Sequence, residues 1–526
     1  MSVALVVLPV LWAAVRAAAG RWVPSGDDAY FTLRSLDVAT SHHPLLGAWS
    51  SGSADIVRQV NNLGPFELDL LAPLTRWAPD GGTAISVGLT HIAAILTIAW
   101  LVQRLLGAAA VVPAMVGVAL LTWGMGSEML ITPRQHQYLL VSYLCVLVAA
   151  WAATAGDRWA PLAFLVFGSL AAQTHLSYPI LLAAAAVPVV MGQIGAARRA
   201  DDPTPFRRAW GIAAGVTVVL WSQSLIDQLF GWGNLRAALA SPGDAASPGL
   251  ATAVRLVAGV LVDPSGYVRD GFADYDPNTT IGSNVQAVLL VGLITALTGT
   301  AVVAGRTHRR RTSAGLSVAA IAVVAAVIDA SQLPTTQFGV TAANYRWLWP
   351  TAAFLTMGAA VGAHQVATTR SDAGRAQLVG SITLAVVAVL GIANLPSSYQ
   401  VDQPDRYRDG LRQVADVTEQ LRAEIIPGPV VIDQSMMYFG HPFAYPIGVV
   451  LRSDGIAYRF EGPQQARRFG DDRVSDGTER YRLVLWHGDE ARRKLVDPST
   501  VAFADGDDPV AVTLVDTSAG TETATP

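Results

Sequence analysis

Cysteine is almost missing from this sequence. Its 526 residues contain one, Cys145, set in an apolar run. No intrachain disulfide framework and no cysteine-based metal site can be built from that. Charge is scarce as well. Asp, Glu, Lys and Arg make up 14% of the chain against 52% hydrophobic residues, too little to cover a soluble protein of this length. Lys494 is the one lysine, so the positive charge is nearly all arginine. The net charge of -4 gives no footprint for a nucleic acid. No glycine fingerprint follows a predicted strand, which argues against dinucleotide binding. No internal repeat is visible, which weakens the case for a transporter built from duplicated halves. The first 20 residues have no basic leading segment, and Arg16 stands at the far end of the apolar stretch. A membrane helix fits them better than a cleaved signal peptide.

The apolar residues are bunched. Eleven stretches read as membrane spans: 3–20, 83–104, 108–124, 137–154, 159–173, 178–195, 209–230, 284–304, 314–331, 347–364 and 376–394. Most are long enough, at helical rise, to cross about 30 Å of hydrocarbon; 159–173 is short. Arginines mark the loops between alternate spans: Arg104, Arg158, the group Arg198, Arg199, Arg207 and Arg208, the group Arg306, Arg309, Arg310 and Arg311, and the pair Arg370 and Arg375. If eleven spans alternate, all five loops share one side, and arginine-rich short loops mark the cytoplasm. Segments 21–82, 231–283 and 395–526 are then expected outside, in a multi-pass plasma-membrane protein.

Charge rises sharply after residue 395. Leu411, Val414, Val417 and Leu421 have helical spacing. Pro427-Gly428-Pro429 interrupts it, and Val430 to Asp433 and Tyr481 to Trp486 read as strands. A short helix near 489–496 and β-rich pieces at 500–504 and 510–515 follow. Alternation of strand and helix predicts an α/β domain over 395–516 beside a transmembrane domain over 1–394. Residues 517–526 read as a disordered tail.

Chemistry is expected first in the loop after the first span, at Gly26-Asp27-Asp28-Ala29-Tyr30-Phe31. The bland reading is an aspartate capping an interfacial helix over 29–39. The functional one is a catalytic carboxylate held at the depth where a lipid phosphate sits. The loop also carries His42, His43, Arg58, Asn61, Asn62 and Glu67. The asparagines suit either sugar hydroxyls or turn chemistry before Pro65. Asp27, Asp28, His42 and His43 are the donors for a divalent cation, if one is used, although adjacent helical histidines diverge by about 100°. Further polar residues collect at the outer ends of spans: Arg134 and His136; Gln173, His175 and Tyr178; and Asn344, Tyr345 and Arg346. Ionisable groups there usually face a cavity, while Trp347 and Trp349 fit an aromatic belt. Arginine suits a phosphate because its planar fork binds two oxygens, and Arg58, Arg134 and Arg346 are the candidates. His91, inside the second span, reads as a neutral packing residue.

Many spans, a long first outer loop with an acidic pair and a soluble C-terminal domain resemble the GT-C superfamily of membrane glycosyltransferases. The fragments GDDAYF, HPLLG, NNLGPFELDLLAP and QTHLSY look like an actinobacterial branch, near the cell-wall arabinofuranosyltransferases and related mannosyltransferases. Asn62-Leu63-Gly64-Pro65 departs from the His-Pro-Gly-Pro of related proteins. The resemblance implies a GT-C-like fold and an inverting transfer of arabinofuranose or mannose. The donor is a polyprenyl-phosphate sugar and the acceptor an envelope glycan, lipid or protein. It makes Asp27 or Asp28 the base and allows a divalent Mg, Mn or Ca ion. A transporter or flippase for a lipid-linked precursor is the competing expectation.

Overall fold

Backbone amides in hydrocarbon must bond within their own segment, so apolar stretches of membrane length fold as helices. A computed structural model of the chain describes all residues except 21, 51–58, 80, 241–245, 263–280, 336–339, 341, 370–372, 396–404, 439 and 519–526. The predicted tail therefore lies almost wholly outside the described residues. The protein is a mostly helical, polytopic membrane protein with a small C-terminal sheet. Among the described residues nine helices are long and apolar enough to cross a membrane. They are α1 (Ser2–Ala19), α4 (Gly82–Leu106), α5 (Val111–Met129, extended to Ala108 by a 3-10 turn), α6 (Gln135–Thr154), α8 (Tyr178–Arg199), α9 (Thr204–Phe230), α12 (Asn284–Arg306), α13 (Arg310–Ala330) and α15 (Ala373–Asn394, apolar from Gln377). Two of the eleven expected spans differ. α7 (Ala160–Thr174) is a helix of 15 residues. α14 (Leu348–Thr369) has 22, but Thr351, Thr356, His364 and Gln365 dilute its apolar character.

The described chain forms two compact units. The first comprises Met1–Arg16, Leu45–Glu67 and Val87–Asp402. Its centre is α6, whose residues from Gln137 to Ala153 are all buried against α7, α8, α13 and α14. Trp151 closes one end, donating from Nε1 to Arg311 O at 2.7 Å. Helices in lipid gain little from apolar burial, so small residues set how closely they approach. Gly117 of α5 shows this. A methyl there would lie 2.5 Å from Ala353 O and 2.9 Å from Met357 Cβ.

The second unit comprises Ala17–Pro44, Leu68–Ser86 and Gln403–Pro526. Two pieces of the chain between α1 and α4 therefore group with the C-terminal chain. Its sheet has five strands, β1 (Val430–Asp433), β2 (Tyr458–Phe460), β3 (Tyr481–His487), β4 (Thr500–Ala504) and β5 (Val510–Asp516), in the order β2-β1-β3-β5-β4. β1 pairs in parallel with β2 and β3, starting from Val430↔Tyr458 and Val430↔Tyr481. β5 is antiparallel to β3 and β4. Helix α16 (Asp405–Ala423) buries Val414, Val417 and Leu421, as their spacing predicts, with Leu411 half-buried. Its Gln420 side chain pairs with Phe503 of edge strand β4 through both amide groups, at 2.8 and 3.0 Å, which occupies backbone groups an open edge would expose. Helix α17 (Ala444–Ser453) and strand β2 are the elements sequence reading missed.

Gly117→Leu is expected to force α5 away from α14. Overpacking of this kind costs about 1–3 kcal/mol, so the thermal midpoint in detergent should drop by several degrees. An unchanged midpoint would show that the contact is not tight.

Candidate functional site

The expected site residues fall into both units. In the second, Gly26 carries a φ of 50° and acts as N-cap of α2 (Asp27–Asp37), with no side-chain cap bond. The aspartate cap weighed from sequence is thus replaced by a glycine whose missing Cβ permits the turn. Asp27 and Asp28 occupy the first helical turn, where the helix dipole favours anions. Asp27 is exposed and Asp28 is buried. Gly26 N donates to Pro442 O at 3.1 Å, which holds this end of α2 against the C-terminal chain.

One turn on, the Tyr30 hydroxyl donates to Arg468 O at 3.1 Å, and its ring packs edge-on against Tyr445 and Phe469. Burial pushes the Tyr30 phenol up to about 12, against the pull of Arg34 and Arg468. Arg468 also donates to the Tyr445 hydroxyl. Asp27 lies within electrostatic reach of both phenols. At the other end of α2, Asp37 is fully buried. Its Oδ2 accepts from Arg34 Nη1 at 2.7 Å and its Oδ1 from Arg473 Nη2 at 3.0 Å.

The four metal donors considered from sequence do not converge. His42 and His43 follow the C-terminal end of α2, and ten residues of helix separate Asp27 from Asp37, about 15 Å. His42 pairs through Nδ1 with Asp472, and His43 Nδ1 accepts from Ala39 N at 2.9 Å. Among the described residues no group of three His, Cys, Asp or Glu side chains is placed to hold an ion.

In the first unit the loop before α3 (Phe66–Trp77) folds as a narrow ribbon. Gly47 N donates to Asn62 O and Asn62 N to Ala48 O, and Trp49 bridges Asn61. Asn61 Nδ2 donates to Gly47 O, Asn62 Nδ2 donates to Ala48 O, and Asn62 Oδ1 accepts from Leu176 N at 3.0 Å. Both amides thus bond backbone groups of this loop and of the chain after α7. Gly64 lets the ribbon close on α7, because a methyl there would lie 2.2 Å from Gln173 Oε1. Gln173 Nε2 donates to Leu220 O at 2.8 Å.

The same unit gathers much of the remaining set. Arg134 caps α6 and His136 opens it, while His175 caps the end of α7. The His136 and His175 rings are 5.3 Å apart, and His175 is 6.1 Å from the Tyr178 ring. Arg134, His175 and Arg346 all act electrostatically on His136. Arg346 is 1% exposed, and Tyr345 beside it is fully buried and stacks on Trp349. Asn344 is half-buried in the turn Ala342–Tyr345. Burial lowers His175 to about 4. Its Nδ1 accepts from Ser177 N at 3.2 Å, so the neutral ring carries its proton on Nε2. Tyr143 joins the cluster at 5.1 Å from Tyr178, and Asp329 acts on both phenols.

Glu67 is 3% exposed, its Oε1 has no hydrogen-bond partner among the described residues, and burial pushes its carboxyl well above the ordinary range. Its neighbour Tyr138 shares a hydrogen bond with Thr90 at 3.1 Å. His91 is fully buried, with neither ring nitrogen bonded among the described residues. Arg58 lies outside the described residues. The charged residues missed by the sequence reading are Asp37, Arg34, Arg473 and Arg468. The signal available was Arg34 and Asp37, three apart on a helix otherwise rich in apolar residues.

The fold is thus that of a polytopic helical membrane protein with a small C-terminal sheet, and the comparisons bear on that fold. No protein-family model and no curated protein sequence matches the chain. Among solved structures it is similar to ArnT from Cupriavidus metallidurans bound to undecaprenyl phosphate, with 13% identity and a TM-score of 0.54 over 97% of each chain. It is also similar to ArnT from the same organism in the apo state, with 13% identity and a TM-score of 0.51 over 95% of this chain and 97% of that one. At such identity the likeness is one of fold.

His441, next to the Pro442 contact of Gly26, makes the second unit sensitive to acid. Burial, with the charges of His487 and Arg468, lowers it to about 4, and its Nε2 bonds Gln434 Oε1 at 2.8 Å. The unfolded chain binds its proton near pH 6.5, before the folded one does. Stability is therefore complete above that pH and declines as pH falls toward 4, by roughly 1 kcal/mol per unit. His441→Gln should flatten this slope in chemical denaturation monitored on the sheet. An equally steep slope in the variant would remove His441 as its origin.

Proposed function

We propose that the chain is an inverting membrane glycosyltransferase that moves a sugar from a polyprenyl-phosphate donor to an acceptor of the cell envelope. Arabinofuranose and mannose are the sugars the sequence motifs favour, and a cell-wall glycan, lipid or protein the acceptor. The observation that carries the reading is the acidic pair at the head of α2, eight residues after the first membrane helix. A carboxylate there is held at the depth of a lipid phosphate. The fold shared with ArnT, which was crystallised with undecaprenyl phosphate, supports the donor class. The arginine distribution supports placing the pair and the C-terminal domain outside the cytoplasm.

In the reaction an acceptor hydroxyl attacks the anomeric carbon. The new C–O bond forms as the bond to the lipid phosphate breaks, and the phosphate leaves with the bonding electrons. Asp27 or Asp28 takes the hydroxyl proton, a contribution of about 10²–10⁴-fold. Attack opposite the leaving group inverts the anomeric centre, by the geometry that separates inverting from retaining glycosidases. In the first unit, taken by itself, Arg134 and Arg346 with the His175 Nε2–H are donors of the kind a phosphate takes, and they are proposed as substrate-binding residues. Glu67, Gln173, Tyr178, Asn344 and Tyr345 are proposed as residues lining the substrate path. A divalent ion would find carboxylate oxygens at Asp27 and Asp28, but among the described residues no third His, Cys, Asp or Glu joins them, so no step is assigned to it.

The test uses the purified protein in lipid nanodiscs with a panel of polyprenyl-phosphate sugars. Transfer or donor hydrolysis is expected for one of them. Asp27→Asn or Asp28→Asn should lower it by about 10²–10⁴-fold while the protein still inserts. If both variants kept full activity, the assignment of the base would fail. Movement of the intact lipid-linked sugar across the bilayer without transfer would favour a flippase.

A further inference from the structure

We infer that Asp37 is a positioning residue that fixes the acidic helix to the C-terminal domain, which makes that domain part of the reaction apparatus. The inference rests on the reading of Asp27 and Asp28 as the base pair. Helix α2 is held along its length by one stretch of the C-terminal chain. Gly26 N bonds Pro442 O at its start, the Tyr30 hydroxyl bonds Arg468 O in its first turns, and Asp37 binds Arg473 at its end. Close packing reinforces this: a methyl on Gly448 of α17 would lie 2.8 Å from Leu33 Cδ2.

The charges at Asp37 are interlocked. Arg34 bonds both the carboxylate and Phe469 O at 3.3 Å, and Arg473 bonds both the carboxylate and Tyr458 O at 3.2 Å. Arg452 Nε stands 3.9 Å from Oδ1. Arg34 and Arg473 are 6% and 5% exposed and Asp37 is 0% exposed. Apolar side chains of similar volume would hold a helix in place at least as well as buried ions do. What the ions add is register. Any slide or rotation of α2 separates a desolvated carboxylate from its guanidinium partners, so one placement of the helix is selected. Since an α-helix is stiff over eleven residues, fixing Asp37 also fixes the position and heading of Asp27 and Asp28.

The test is hydrogen–deuterium exchange on the full-length protein in nanodiscs, with transfer kinetics on whichever polyprenyl-phosphate sugar proves active. In Asp37→Asn, amides of residues 29–37 should exchange at least tenfold faster while those of β3 and β5 keep their protection. The transfer kcat should fall at least tenfold with the donor KM unchanged, and Asp37→Glu should recover part of both. If Asp37→Asn also deprotects the sheet, Arg473→Lys, which keeps the charge and loses the fork, is read in its place. Unchanged α2 exchange overturns the anchor, as does a loosened α2 with undiminished kcat. A loosened α2 with reduced kcat in Asp37→Asn, alongside full activity of Asp27→Asn and Asp28→Asn, would sink the base assignment and leave the anchor standing.

Discussion

A carboxylate with no access to water must be paired, and Asp37 is paired by Arg34, three residues before it, and by Arg473 of the C-terminal chain. Removing one partner of such a buried set typically costs about 3–5 kcal/mol, because the remaining charge is stranded. Several features follow from this contact. It draws the first loop's helix into the same compact unit as the C-terminal sheet. It brings Arg34 and Arg473 to carbonyls at Phe469 and Tyr458, so each guanidinium makes a further bond beyond the ion pair. The aromatic set of Tyr30, Tyr445, Phe460 and Phe469 then closes over the same face, with Phe460 and Phe469 stacked at 4.4 Å.

The first unit solves a different problem. Its helices are already satisfied internally, so what needs specifying is the polar material at their ends. Backbone groups of segments 45–50 and 59–65 are matched by Asn61, Asn62 and Asn234, and Asn234 itself is held by Asp227 at 2.9 Å. That ribbon abuts the end of α7, where His175 begins the loop into α8. The histidine and arginine cluster is thereby built on helix termini and not on a free loop, which limits how far its members can stray.

Much of this was legible in the residues alone. Membrane spans announce themselves because lipid demands long apolar runs, and the expected boundaries fall close to the helices formed. Strands β1 and β3 were legible as buried apolar runs, and α16 through its 3.6-residue spacing. β2 was not, because three residues of parallel strand carry no periodicity worth reading. The joining of α2 to the C-terminal domain was also hidden. Periodicity says that a helix has a buried face, not which surface 400 residues later will bury it. Arg34 and Asp37 look locally like an ordinary surface pair three residues apart, and only Arg473 reveals them as buried. Asn61 and Asn62 were read with two meanings, and their backbone partners at Gly47, Ala48 and Leu176 became visible only once the ribbon had folded. For the acidic pair, the residues named the place, and the fold distinguished an exposed Asp27 from a buried Asp28.

The single thiol of the chain, Cys145, is sealed inside α6 with no surface exposed. Every tertiary contact described above is therefore non-covalent. An oxidant finds no side chain to cross-link, and a reductant finds no bridge to open. The C-terminal domain can mature without thiol exchange chemistry on whichever side of the membrane it resides. Its fold depends on no disulfide, and rests instead on burial and on ions such as Asp37.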